Sequence, residues 1–135
     1  MNKVETNEWC FACGKLNPIG LKLEFLEQDN KYIAEFTPGA EHQGYDGVVH
    51  GGIISTLLDE IMARYYYAKG FHAVTARLEV RFRKPTPVGR KITVCGWVIK
   101  ERGKMIEMAA EIRLADGSVS AEGKATLMIV GEVKS

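Results

Sequence analysis

The chain has 135 residues, of which 46% are hydrophobic and 26% charged, an ordinary balance for one globular domain. Its 18 basic and 17 acidic side chains leave a formal net charge of +1, which argues against a nucleic-acid-binding arm or a basic membrane-binding patch. No apolar run approaches the ~20 residues of a membrane span, and the polar residues 1–8 do not form a signal peptide. We therefore expect a single domain, residues 1–135, in the cytoplasm.

The N-terminal segment, residues 10–20, is rich in turn formers and contains a C-x-x-C pair, Cys10 and Cys13. Such a pair can form half of a zinc site, but no second C-x-x-C or H-x-x-x-H follows. The remaining cysteine and histidines, whose spacing does not support a site, are Cys95, His42, His50 and His72. We therefore expect no metal, and we interpret Cys10 and Cys13 as small apolar residues of a folded turn.

Two runs with alternating apolar residues, Leu21–Glu27 and Lys31–Thr37, flank an Asp-Asn pair and predict a β-hairpin. A polar, turn-rich loop follows over residues 38–47. The clearest element is a helix that opens at His50-Gly51-Gly52 and continues over Ile53–Ala68, with Gly70 as its stop. Its apolar residues recur at steps of three and four, as an amphipathic helix requires: Ile54, Leu57, Leu58, Ile61 and Tyr65.

Four strands are predicted after the helix, and tight turns such as Asp116-Gly117 join them. They are Val74–Arg83, Ile92–Ile99, Met105–Leu114 and Val119–Val130. Strict alternation in the first of these places one apolar set on one face: Val74, Ala76, Leu78, Val80 and Phe82. The opposite face then carries Thr75, Arg77, Glu79, Arg81 and Arg83. The whole order predicts an α+β fold in which an antiparallel sheet of about six strands curls around one long helix.

Two features near the helix start could carry chemistry. Gly51 and Gly52 leave backbone N–H groups unshielded at the positive end of the helix dipole, where a developing oxyanion can be held. The same glycines could instead only permit close helix–strand packing. Asp59 lies beside the apolar stripe of the helix, which suggests a carboxylate in a pocket or an interface, although a surface acid near Arg64 is the alternative.

The spacing of these features limits how they could cooperate. Gly51 and Asp59 are eight residues apart, about 12 Å along one helix, which is too far for both to reach one carbonyl group. If both act, we expect a site shared between two antiparallel helices of a symmetric homodimer. Arg77, Arg81, Arg83 and Lys84 form a basic set that could bind the phosphates of a coenzyme or simply be a solvated sheet face.

The segment GVVHGGIISTLLDE, residues 47–60, resembles the central motif of the hotdog-fold acyl-CoA thioesterase superfamily, in particular its 4-hydroxybenzoyl-CoA and phenylacetyl-CoA thioesterase-like branch. CFACGKLNPIGLKLEF and VTARLEVRFRKPTPVG resemble the segments that precede and follow that motif. The resemblance implies that Asp59 is the nucleophile or general base and that the Gly51 N–H, with Gly52 beside it, stabilises the oxyanion. It further implies that Thr75 positions water and that His50 supports the loop and polarises the thioester.

The resemblance also implies that Arg81, Arg83 and Lys84 contact CoA phosphates and that no cofactor is needed beyond the CoA of the substrate. One position departs from the pattern, since many relatives carry asparagine where this chain has Gly44. We expect the adjacent Gln43 to compensate in the substrate site.

The function expected from the sequence is therefore hydrolysis of an acyl-CoA thioester to a carboxylic acid and CoA by a homodimer or a dimer of dimers. A hotdog-type hydratase or dehydratase is one alternative, and it would need a histidine–carboxylate pair. A non-catalytic acyl-CoA-binding protein is the other.

Overall fold

Residues 8–133 are described by the computed structural model and form one long helix and one six-stranded sheet. The elements are β1 (Leu26–Gln28), β2 (Lys31–Phe36), a 3₁₀ turn (Ala40–His42), α1 (Gly51–Ala68), β3 (Phe71–Phe82), β4 (Ile92–Arg102), β5 (Met105–Arg113) and β6 (Val119–Glu132). The strand order is β1-β2-β4-β5-β6-β3, and every pair is antiparallel. Residues 1–7, most of the segment considered above as a possible signal peptide, lie outside the described part, as do 134 and 135.

Helix α1 supplies the centre of the core. All five residues of its predicted apolar stripe are buried, together with Met62 and Tyr66. The helix packs against β2, β3, β4, β5 and β6, so the sheet surrounds it as predicted. Gly70, which follows the helix, has a φ of 96°, a left-handed conformation that glycine adopts without strain. No helix in the described part is long and apolar enough to cross a membrane.

The first predicted hairpin is shorter than its sequence pattern suggested. Leu21 and Leu23 are buried, but they lie outside β1. Their N–H groups bind the carbonyls of Phe11 and Ala12 at 2.8 and 3.0 Å. The alternation therefore identified the buried residues correctly but predicted the wrong partner for them. They pair with the N-terminal turn and not with β2.

Strand β3 departs from the strict alternation predicted for it. Thr75 lies opposite Leu127 of β6, and Arg77 lies opposite the next residue along β6, so Ala76 between them is an extra residue without a partner. Leu127 is fully buried under α1, so Thr75 also faces the helix. Beyond this bulge the helix-facing positions are Leu78, Val80 and Phe82.

The prediction that Thr75 lies on the face opposite to Leu78, Val80 and Phe82 is therefore wrong. One extra residue shifts the parity of a strand, because side chains alternate with a period of two. Val74, which was predicted to share the inner face, points away from the helix and is 50% exposed. The bulge lets Thr75 reach the helix without turning the apolar part of β3 outward.

Candidate active site

Asp59 is half-buried on α1, and its carboxylate contacts β3. The hydroxyl of Thr75 donates a hydrogen bond of 2.6 Å to Asp59 Oδ1. Thr75 is half-buried as well, so this charged acceptor is partly shielded from water. Hydrogen bonds to charged groups are roughly twice as strong as neutral ones. The interaction fixes Oδ1, whereas Oδ2 has no hydrogen-bond partner among residues 8–133.

The meeting of Asp59 and Thr75 follows from chain lengths. From Asp59 to the helix end at Ala68 the chain rises nine residues, about 14 Å at ~1.5 Å per residue. After the turn at Gly70, the four steps from Phe71 to Thr75 return about 13 Å at ~3.3 Å per residue. The two side chains therefore arrive at the same level.

The start of α1 is capped by His50. Its Nδ1 accepts a hydrogen bond of 2.8 Å from the N–H of Gly52, so in the neutral imidazole the proton lies on Nε2. The N–H of Gly51, by contrast, has no hydrogen-bond acceptor within residues 8–133. Of the two glycines predicted to bind substrate, Gly51 is thus the one whose N–H is available to an oxyanion, while Gly52 holds His50 in place.

The loop before the helix packs tightly on His50. A Cβ added to Gly44 would lie 3.2 Å from His50 Cα, closer than most real contacts of this kind. The asparagine expected at this position would therefore push against the helix start. The Oε1 of Gln43 accepts a hydrogen bond from the Gly47 N–H at 3.0 Å, so this side chain supports the loop turn.

Gly51 and Asp59 lie on one uninterrupted helix. The separation of about 12 Å deduced from the sequence therefore holds in the structure. Phe82 lies beside Gly51, since its ring is 3.5 Å from where a Cβ on Gly51 would sit. Strand β3 accordingly runs along α1 from Asp59, near Thr75, to Gly51, near Phe82.

Two of the four predicted phosphate-binding residues already form ion pairs with acidic side chains. Arg83 forms an ion pair with Glu122, at 2.7 Å from Nη2, and Arg77 forms one with Glu79 at 2.9 Å. Arg81 and Lys84 have no ion pair with any described residue. A cleft of about 430 Å³ on β3 and β6 is lined by Glu79, Val80, Arg81, Arg83, Glu122, Gly123 and Lys124. Sequence reasoning missed Lys124, because only the register of β6 against β3, which places Lys124 opposite Glu79, brings it into the same cleft as Arg81.

The aromatic residues at the end of α1 are largely core. Tyr65 and Tyr66 are 8% and 6% exposed, and their rings lie 5.3 Å apart. The hydroxyl of Tyr66 donates to Glu101 at 2.7 Å. Burial raises the pKa of Tyr66, and this hydrogen bond raises it further, so the hydroxyl stays protonated at neutral pH. Tyr66 shares the helix face of Asp59 and Met62.

The C-x-x-C pair lies against α1 at Glu60, the residue that follows Asp59. The Cys10 thiol is 3.8 Å from a carboxylate oxygen of Glu60. Burial raises the pKa of the Cys13 thiol, and the charge of Glu60 raises it further. All three cysteines are unpaired. Glu60 was not among the candidate ligands taken from the sequence, because a C-x-x-C pair points to cysteine and histidine as the remaining zinc ligands.

Comparison with known families agrees with this geometry. The model of the thioesterase superfamily matches residues 46–121, more than half of the chain. The match spans the helix start, Asp59 and Thr75. The chain belongs to the thioesterase superfamily.

Relatives and solved structures give the same result. Mouse acyl-coenzyme A thioesterase THEM4 is 30% identical over 101 residues, which are 72% of this chain and 44% of that protein. Human acyl-coenzyme A thioesterase 13 is 27% identical over 99 residues, 71% of each chain. The crystal structure of a thioesterase superfamily protein, 28% identical, superposes with a TM-score of 0.81 over 87% of this chain and 61% of that one. The predicted hotdog fold is therefore confirmed, and the chain spans under half the length of the THEM4 proteins that it matches.

Proposed function

We propose that this protein hydrolyses an acyl-CoA thioester to a free carboxylic acid and CoA. The observation that carries the proposal is the half-buried Asp59 carboxylate on α1, which accepts a hydrogen bond from Thr75 of β3. The first N–H of the same helix, that of Gly51, has no acceptor among the described residues. Membership of the thioesterase superfamily supports it, as do the names of the relatives that the chain resembles.

The chemistry needs a nucleophile or base and an oxyanion donor, and the site offers both. Oδ2 of Asp59 attacks the thioester carbonyl directly, or it takes a proton from a water molecule that attacks instead. The Gly51 N–H stabilises the negative charge that develops on the carbonyl oxygen. The tetrahedral intermediate then collapses, the C–S bond breaks, and CoA leaves as a thiolate. The thiolate takes up the proton that Asp59 removed from water in the general-base route, or a proton from solvent in the nucleophilic route. In the first route water hydrolyses the resulting anhydride and restores Asp59.

The two functional groups come from different chains in this proposal. Strand β3 lies at the edge of the sheet, is 12 residues long, and has one side without a strand partner in the described structure. Its exposed large apolar side chains are Phe71, Val74, Leu78 and Phe82, at 36%, 50%, 36% and 57%. A long apolar edge strand favours pairing with a second copy.

Symmetric pairing of β3 would complete the site. A two-fold axis that places Glu79 opposite its own copy puts Thr75 opposite Phe82 of the partner subunit, because Ala76 is the extra residue of the bulge. Thr75 marks the level of Asp59, and Phe82 marks the level of Gly51. The same axis would therefore bring Asp59 of one chain to the Gly51 of the other, which gives two equivalent sites per dimer. A dimer of dimers would leave this arrangement intact.

Contacts to CoA are proposed for the cleft on β3 and β6. Arg81 and Lys124 supply the positive charge, and Arg83 contributes if phosphate displaces Glu122. The acidic residues of the cleft make it a modest phosphate site, so we assign it to orientation of CoA more than to affinity.

Three unpaired cysteines support a reducing compartment such as the cytoplasm.

A thiol-release assay over a panel of acyl-CoA substrates tests the proposal, with Asp59→Asn as the key variant. Asparagine keeps an acceptor for Thr75, so the fold should persist while kcat falls by at least ~100-fold, a typical loss for an acid–base group. Asp29→Asn is the matched control, since the turn between β1 and β2 is remote from the site and its positive φ suits asparagine. Activity of Asp59→Asn within a few-fold of wild type contradicts the assignment. Tight CoA binding without hydrolysis favours the binding-protein alternative.

A further inference from the structure

A second group of reactive side chains meets at the N-terminal turn. The sulfur atoms of Cys10 and Cys13 and a carboxylate oxygen of Glu60 all lie within 4.8 Å of one another, and each residue is half-buried. None of them takes part in the proposed hydrolysis. Two thiols and a carboxylate form a donor set that suits thiophilic divalent cations.

We propose that Cys10, Cys13 and Glu60 bind one thiophilic divalent cation, with zinc as the cellular candidate and water as the fourth ligand. The ion would connect the N-terminal turn to the middle of α1. The sequence led us to expect no metal, because a second Cys or His pair is missing. Glu60 supplies the third donor from a position 50 residues away.

The distances suit a tetrahedral ion after a small contraction. Zinc binds sulfur at ~2.3 Å and carboxylate oxygen at ~2.0–2.2 Å, so its ligand atoms are roughly 3.5–3.8 Å apart. The Cys10 sulfur and the Glu60 oxygen are already separated by 3.8 Å. The longest separation in the group, at most 4.8 Å, closes by about 1 Å when side chains rotate around the ion.

The charge balance also suits this ion. Two thiolates and one carboxylate carry one negative charge more than a divalent cation neutralises. Arg64 is four residues after Glu60, on the same helix face. Its positive charge acts on Cys13 and offsets the excess.

The donors are held by rigid parts of the fold. The N–H of Gly14 binds the carbonyl of Cys10 at 2.8 Å, which closes the turn that carries both thiols. The bonds of Leu21 and Leu23 to Phe11 and Ala12 tie that turn to the buried core. Glu60 lies in the middle of α1. Little backbone ordering is therefore needed for binding, which favours affinity.

The test uses the full chain, reduced and purified without a metal-binding tag, with Co²⁺ and Zn²⁺ as probes. Wild type should bind one Co²⁺ per chain with a thiolate-to-metal charge-transfer band, and Zn²⁺ should displace it. Cys10→Ser and Cys13→Ser should each weaken binding by at least ~100-fold, beyond the ~10–100-fold effect of groups that only support a ligand. Glu60→Gln should weaken it by at least ~10-fold while keeping the band.

Two control variants separate this site from chance binding. Cys95→Ser removes the buried thiol of β4, and Glu24→Gln removes an exposed carboxylate. Both variants should bind Co²⁺ and Zn²⁺ with the affinity of wild type. Zinc should raise the unfolding midpoint of wild type and of these controls, but not of the cysteine variants. Circular dichroism in the presence of a chelator checks that each variant folds without metal.

Two results would overturn the proposal. One is wild-type protein without stoichiometric Co²⁺ binding or a charge-transfer band at micromolar metal, a result independent of whether any variant folds. The other is a Glu60→Gln variant with unchanged affinity, which would mean that only the two thiols bind the ion. Both outcomes leave the proposed hydrolysis untouched, since that is measured on Asp59.

Discussion

Asp59 and Glu60 are consecutive carboxylates on α1, yet they lie in different surroundings. Asp59 accepts a hydrogen bond from Thr75 on the edge strand β3, whereas Glu60 lies against Cys10 in the N-terminal turn. Successive helix residues point about 100° apart, so one step along the chain changes the neighbouring element. The partner, and not the residue type, therefore decides which acid can serve catalysis and which can hold a metal.

The strongest test of the Asp59 side of this comparison is complementation between two inactive variants, Asp59→Asn and Gly51→Val. A Cβ at Gly51 meets only Phe82, at the ordinary distance of 3.5 Å, so valine should fold while its branches obstruct the N–H. Mixed dimers with shared sites regain one intact site of two. An equimolar, fully exchanged mixture should therefore recover about a quarter of wild-type activity.

As controls, each variant is taken through the same exchange procedure by itself, and its activity is compared with that of the mixture. Subunit exchange is verified by mass spectrometry of differently labelled chains. If activity does not rise although mixed dimers form, the site lies within one chain and the proposed β3 pairing is wrong.

A smaller effect is expected at Thr75, which acts through Asp59 as a positioning residue. Thr75→Val removes the donor of the 2.6 Å hydrogen bond, and hydrogen bonds to charged groups are worth ~1.5–3 kcal/mol, so kcat should fall roughly ten- to hundredfold. KM should change little, since the hydroxyl is not assigned to substrate. Thr75→Ser keeps the donor and should stay within a few-fold of wild type. An equal loss in both variants would point to packing instead of the hydroxyl.

The smallest expected effect distinguishes Glu60 from Asp59 by their influence on the pKa of the Cys13 thiol. In metal-free protein, burial raises the pKa of Cys13 most, and the charge of Glu60 adds to it. Glu60→Gln should therefore lower the pKa of Cys13 toward, but not to, its ordinary value, and alkylation of this thiol should begin at lower pH. Asp59→Asn should leave the alkylation profile of Cys13 unchanged. The profiles are measured by mass spectrometry of the Cys13 peptide, and identical profiles for wild type and Glu60→Gln would contradict this account.

Much of the fold followed from periodicity. The buried stripe of α1 was predicted correctly, because a helix repeats its buried face at fixed intervals. The alternation failed at Ala76 of β3, where a bulge inserts one residue. Whether a strand bulges depends on what its partner strand and the helix require, and single-strand patterns do not contain that information.

The candidate site, like the fold, was predicted only in part from the sequence. Gly51, Asp59 and Thr75 were identified as candidates, by residue type, helix position and family resemblance. The structure then showed that the Thr75 hydroxyl binds Asp59 itself, that the Gly52 N–H is taken by His50, and that Gln43 supports its own loop. These details depend on hydrogen-bond partners that come from turns and neighbouring elements.

The sequence by itself determined one long amphipathic helix with a glycine-rich start, antiparallel strands around it, and a carboxylate beside its apolar stripe. These are local properties, set by spacing along the chain. Only the tertiary structure decided that Asp59 meets Thr75, that Glu60 meets Cys10 and Cys13, and that β3 forms one of the two edges of the sheet. Such contacts join residues 16 to 50 positions apart, and they form because burial of the helix against the sheet fixes which elements become neighbours.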